Sequence, residues 1–315
     1  MKFIIGVDLG GTYIKAGSVS KDGNLLNESS IPSMGEVGPE AVVSQIAKAV
    51  EAIKQKHPGE ELLGVGIGSP GIVDLDGGTV KYPPNLANWK VFRLGEEVSK
   101  KIGARVEVEN DANAAAVGEM KFGAGKGLQN FIMITLGTGV GGGFIIDGKV
   151  FRGETGGAGE IGHTTINFDG PLCGCGNHGC VEAYVGQKYL SRRVAEQLKD
   201  HPGSLISKLI AGDTDKLEPK IISQAADQGD EFALRIWKEV GMCIGTAVAS
   251  SFNLFDVTTL IVGGGVASAG KPLFDSIAAT VKERVLTSLK PRVKIFKARL
   301  ENSAGVIGAA ALIAE

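Results

Sequence analysis

The chain has 315 residues, 43% of them hydrophobic, and a formal net charge of −2 from 33 Lys and Arg against 35 Asp and Glu. Glycine fills 47 positions with no three-residue period and only 11 prolines beside it, so collagen-like and disordered readings are excluded. The near-neutral charge, without a long basic run, argues against a nucleic-acid or anionic-membrane surface, and the length suggests two domains with real cores.

In chain order, residues 3–9 and 13–19 read as strands around Asp8-Leu9-Gly10-Gly11-Thr12. The Asp22-Gly23 pair turns the chain into a third strand at 25–31. Apolar Val42, Val43, Ile46, Val50 and Ile53, at three-to-four spacing, predict an amphipathic helix over 39–56. A strand follows at 62–67, a helix at 94–101 and a strand at 105–109. Asn110 or Asp111 is suited to cap the next helix. The pattern then restarts. IIGVDLGGTYIKAGSVSKDG and IMITLGTGVGGGFIIDG both run strand, Leu-Gly turn, strand, Asp-Gly turn, a diverged repeat of one hairpin. Helix dominates 186–255; a strand at 258–262 feeds Gly263-Gly264-Gly265; a helix (271–288), a strand (293–297) and a helix (304–314) close the chain. The alternation predicts an α/β protein. The first apolar run ends at Asp8, too early for a signal peptide, and 304–314 is far short of the ~20 residues that span a bilayer. A cytoplasmic protein is expected, with no membrane and no nucleic acid among its partners.

Gly137-Thr138-Gly139-Val140-Gly141-Gly142 satisfies G-x-G-x-x-G, but strand-like residues follow where a dinucleotide fingerprint needs a helix. Lys126 is not a Walker lysine, because Met120 stands where the first Gly belongs and Gly127 where Ser or Thr belongs. Two Gly-Thr hairpins suit phosphate better: their N–H groups and the Thr12 and Thr138 hydroxyls can hold phosphate oxygens. Asp8 would stand near a nucleotide-borne Mg²⁺, reached through water.

Cys173, Cys175 and Cys180 lie within eight residues, which in a reducing compartment points to a metal. Cys-x-Cys is not the redox spacing. Zn²⁺ with three thiolates needs one more ligand, His163 or His178, and then keeps no open position for substrate, so a structural zinc is expected.

GVDLGGTYIK, ENDANAAAVGE, LGTGVGGGFI, GGAGEIGH and CGCGNHGCVEAY, in this order, resemble ROK-family sugar kinases, bacterial glucokinases among them. The resemblance implies an α/β, actin-like/hexokinase-like (ribonuclease H-like) duplicated fold with two domains around a cleft. The expected domains are 1–112 plus 304–315 and 113–303, with the zinc loop at 163–180. It implies ATP-dependent phosphorylation of a hexose, glucose first, with Asp111 as general base. Gly71, Asn110, Asp111, Glu160, His163 and Glu182 would bind the sugar. Asp8, Gly10, Gly11, Thr12, Lys15, Gly137, Thr138, Gly139, Gly264 and Gly265 would bind the nucleotide. It favours His163, with Cys173, Cys175 and Cys180, as the Zn²⁺ ligands, and a homodimer or higher oligomer. Two alternatives stay open: another hexose (mannose, fructose, allose or an N-acetylhexosamine), with polyphosphate as a possible donor, or a sugar-sensing regulator without kinase activity. Regulators of the family carry a DNA-binding segment ahead of the fold, and the first strand here is expected from Phe3.

Overall fold

A computed structural model describes residues 2–84 and 86–314. The chain opens with β1 (Lys2–Leu9), β2 (Tyr13–Val19), β3 (Leu25–Pro32), α1 (Pro39–Lys54) and β4 (Glu61–Ser69). Three short strands follow, β5 (Ile72–Asp74), β6 (Thr79–Lys81) and β7 (Val91–Arg93), then α2 (Leu94–Ile102), β8 (Val106–Asn110) and α3 (Asp111–Phe122). The second series is β9 (Phe131–Leu136), β10 (Val140–Ile146), β11 (Lys149–Val150), α4 (Glu182–Val185), α5 (Gln187–Gln197), α6 (Leu205–Leu209), α7 (Pro219–Asp227), α8 (Glu231–Phe255), β12 (Thr259–Gly263), α9 (Lys271–Arg284), β13 (Lys294–Lys297) and α10 (Ala304–Ala311). No described helix is long and apolar enough to cross a membrane.

The repeat legible in the two hairpins extends to whole sheets. One has the order β3-β2-β1-β4-β8 and the other β11-β10-β9-β12-β13. In the first, β1 is antiparallel to β2 and parallel to β4, which is parallel to β8. In the second, β12 is parallel to both β9 and β13. β5, β6 and β7 form a small antiparallel sheet of their own.

The chain divides into two compact units: residues 1–129, 143–159 and 299–315, and residues 130–142 and 160–298. The division differs from the expected one at 112/113, for a packing reason: α3 lies against α10, so it stays with the first unit. The contact is close because both helices present small residues. A Cβ at Gly118 would stand 2.8 Å from the Gly308 Cα, and one at Gly308 would strike the Ala114 carbonyl oxygen.

The same helix accounts for several glycines on the strands beneath it. A Cβ at Gly6 on β1 would run into the Val306 carbonyl oxygen, and one at Gly66 on β4 into that of Ala309. Gly64 meets Ile313. Glycine lets α10 lie directly on the sheet at these positions. The opposite face of that sheet buries Phe3, Ile5, Val7, Ile46, Val50 and Ile53. In the second unit, Gly241 and Gly245 play the corresponding part on α8, where added Cβ atoms would lie 2.5 and 2.6 Å from the side chains of Ser276 and Thr280 on α9. Trp237, Val240 and Phe252 of α8 are fully buried.

Candidate active site and metal cluster

In the first unit, β8 ends in Asn110 and α3 begins at Asp111. The Asn110 Oδ1 accepts the N–H groups of Ala112 (3.0 Å) and Asn113 (3.2 Å), so Asn110 is the N-cap. Its Nδ2 donates to the Gly71 carbonyl oxygen at 3.1 Å. One N–H of the amide therefore remains for a ligand. Asp111 is exposed in the first helical turn, where its Oδ1 accepts the Ala112 N–H at 2.8 Å; a carboxylate is favoured at this end of the helix dipole. Gly71 has φ +89°, and a Cβ there would come within 2.8 Å of Pro83, so the tight turn requires glycine.

The first glycine turn closes through Gly10 N–H to the Tyr13 carbonyl at 3.0 Å. Ser33, fully buried, braces it: its Oγ donates to the Gly11 carbonyl (2.6 Å) and its N–H to the Thr12 carbonyl (2.9 Å). Nothing in the sequence pointed to Ser33, which lies 22 residues from Gly11. Asp8 stands opposite Lys15 in the β1–β2 register. Desolvation holds the Asp8 carboxyl above its ordinary value, opposed by Lys15 and reinforced by Glu28. A carboxylate short of compensating charge beside a glycine turn is a donor suited to a cation arriving with phosphates.

In the second unit, His163, Cys173, Cys175 and Cys180 converge, their ligand atoms all within 4.8 Å of one another. Cys175 and Cys180 Sγ are 3.7 Å apart, and Cys173 Sγ lies 3.8 Å from His163 Nδ1. With Zn–S bonds of about 2.3 Å, a tetrahedron has S···S edges of about 3.8 Å, so the donor set fits zinc. His163 meets Cys173 Sγ through Nδ1. His178 is occupied elsewhere, its Nδ1 3.0 Å from the Gly170 carbonyl. Burial raises the Cys173 thiol and pushes that of Cys180 up to about 12, while the Asn177 N–H lowers Cys175. The loop is shaped by Gly176 and Gly179, both at positive φ, and by Cys173 N–H to the Asn177 carbonyl at 2.8 Å.

Glu182 opens α4 two residues after Cys180. Its Oε2 accepts the Val140 N–H at 2.9 Å, and a Cβ at Gly139 would strike that same oxygen. The carboxylate expected to bind sugar thus also fixes the second glycine turn, a link invisible in the sequence. Desolvation keeps the Glu160 carboxyl above its ordinary value, against the attraction of His163 and with the help of Glu182. The turn itself is held by Gly137 N–H to the Gly139 carbonyl (3.0 Å) and Gln187 N–H to the Gly137 carbonyl (3.0 Å). At the end of β12, Gly264 has φ +84° and lies against the Leu136 backbone, while a Cβ at Gly265 would meet nothing within 4 Å.

A glucokinase of Streptomyces coelicolor is 42% identical over 100% of this chain and 98% of its own. The crystal structure of a ROK family glucokinase from Streptomyces griseus, in complex with glucose and AMPPNP, superposes with a TM-score of 0.86 at 39% identity, covering 98% of each chain. A xylose repressor of Caldicellulosiruptor bescii is 32% identical over 98% of this chain and 77% of its own. The fold is the actin-like/hexokinase-like one of the ROK glucokinase structures. The ROK family model matches residues 4–315, and the chain belongs to the ROK family.

Proposed function

We propose that this protein is an ATP-dependent glucokinase that forms glucose 6-phosphate, with Asp111 as general base. The observation that carries the role of Asp111 is the capping pattern: Asn110 takes the cap, and the Asp111 carboxylate is left exposed in the first turn of α3. A sugar hydroxyl attacks poorly at neutral pH, and a carboxylate within hydrogen-bond reach accepts its proton as the new P–O bond forms. The remaining Asn110 N–H, the Glu160 and Glu182 carboxylates and His163 Nε2 would bind the other sugar hydroxyls, with the Gly71 backbone beside them.

The Gly11 and Gly139 N–H groups, with the Thr12 and Thr138 hydroxyls and Lys15, would hold the phosphates, on turns that the Gly10 and Gly137 N–H groups close. Gly265, open on its Cβ side, would leave room for the nucleoside, with Gly264 turning the chain beside it. Asp8 would hold Mg²⁺ through water; the ion supplies charge neutralisation on the phosphates. His163, Cys173, Cys175 and Cys180 would hold Zn²⁺, which braces the loop that ends in Glu182. A reducing, cytoplasmic setting belongs to the same reading, since all four cysteines are free.

The rival reading, a sugar sensor without turnover, has the similarity to the xylose repressor in its favour. Incubation with ATP, Mg²⁺ and glucose separates the two: sugar-dependent ADP formation is expected, and sugar binding without ADP would identify a sensor.

A further inference from the structure

Glu109, immediately before Asn110 and Asp111, is 1% exposed, a costly place for a carboxylate. Both of its oxygens are used. Oε2 accepts from Arg152 Nε at 2.8 Å and Nη2 at 2.6 Å. Oε1 accepts the Asn110 N–H at 2.9 Å and the Asn113 Nδ2 at 3.2 Å. The carboxylate therefore grips the β8–α3 junction from both sides of Asp111.

Arg152 is itself anchored. Its carbonyl accepts the Ala158 N–H at 3.1 Å, closing the 152–158 loop. Gly156 lies against the Val73 carbonyl, where a Cβ would be 2.5 Å away, and Gly157 lies against Ile72. Asn110 returns to the same region through Gly71. Glycine loop, β5 and the start of α3 are thus joined at one ion pair, buried on its Glu109 side and half-buried at Arg152. A buried carboxylate seldom repays its desolvation as stability, so a positional role better explains why one stands here.

We infer that Glu109 and Arg152 are positioning residues that fix Asn110 and Asp111 for phosphoryl transfer. This rests on the kinase reading above. A loosened clamp lets the β8–α3 turn relax, and misplacement of a reacting group by about 1 Å can cost about a hundredfold in rate.

The test compares the parent enzyme with Arg152→Met and Arg152→Lys, with kcat normalised to the folded fraction from circular dichroism. Arg152→Met should lose at least tenfold in kcat with the KM for ATP within twofold of the parent. Arg152→Lys, which keeps the charge and a donor for Oε2, should recover at least threefold of that loss. A loss smaller than tenfold, a large rise in the KM for ATP, or no recovery by lysine overturns the inference. If Arg152→Met does not fold, Arg152→Gln, which keeps a donor without the charge, takes its place under the same thresholds. A parent without glucose-dependent turnover would overturn the kinase reading itself, whereas an active parent with unaffected variants would overturn only the positioning role.

Discussion

Two carboxylates face opposite demands. Asp111 costs the fold little, standing exposed at a helix start, and its proposed work is chemical. Asp111→Asn should lower kcat by about 10²–10⁴-fold, the usual worth of a positioned general base. Calorimetry should still detect glucose binding; near-parental turnover would contradict the assignment. Asp8 is the reverse case. Its pKa is raised in the folded state, chiefly by desolvation, so the folded protein binds this proton more tightly than the unfolded chain. Stability is lost as pH rises through the window from the ordinary carboxylate value to the raised one, and the penalty persists at neutral pH. Asp8→Asn should therefore raise Tm at pH 7, with a smaller gain near pH 3, while turnover at saturating ATP and glucose falls at least tenfold. A lowered Tm at pH 7 would contradict the proposed cost.

The longest helix shows what a single cap contributes. Asp230 precedes α8, where its Oδ1 accepts the Ala233 N–H and its Oδ2 the Leu205 N–H, both at 2.7 Å. Burial alone would raise its pKa, but these N–H groups more than offset it and hold the carboxyl below its ordinary value. The contribution is full above the unfolded value and fades as pH falls through the folded one. Asp230→Ala should cost about 1 kcal/mol and lower the neutral-pH Tm by roughly 2–4 °C, with less effect in acid. The metal loop is tested through Cys175, its exposed thiol. Cys175→Ser disturbs little packing, so a fall of Tm together with loss of bound zinc by elemental analysis is expected, and an unchanged Tm would remove the structural role.

The sequence announced elements of this kind where a local rule applied. Apolar spacing marked α1, Leu-Gly turns marked β1–β2 and β9–β10, and the Asn-Asp pair marked the start of α3. It was silent on β5, β6 and β7, because three-residue strands have no measurable period. It was silent too on Glu109 with Arg152, whose meeting spans 43 positions and depends on the β5 packing.

At the scale of the whole molecule, one sheet plan occurs twice: three strands of an antiparallel hairpin series followed by two reached through crossovers. Each copy carries a glycine turn between its first two strands, and α10 returns at the end of the chain to seat on β1 and β4. That closing contact uses glycines that no longer side chain can replace. Gly66→Val should leave little folded protein, read as lost solubility and a collapsed melting transition, and a Tm within a few degrees of the parent would contradict the packing account. This duplicated fold is that of an enzyme transferring phosphate from ATP to glucose. The most direct test is a coupled ADP assay with ATP and Mg²⁺ over a panel of glucose, mannose, fructose, allose and N-acetylglucosamine. The account predicts sugar-dependent ADP release with the highest kcat/KM for glucose; no ADP above the sugar-free control with any of them would contradict it.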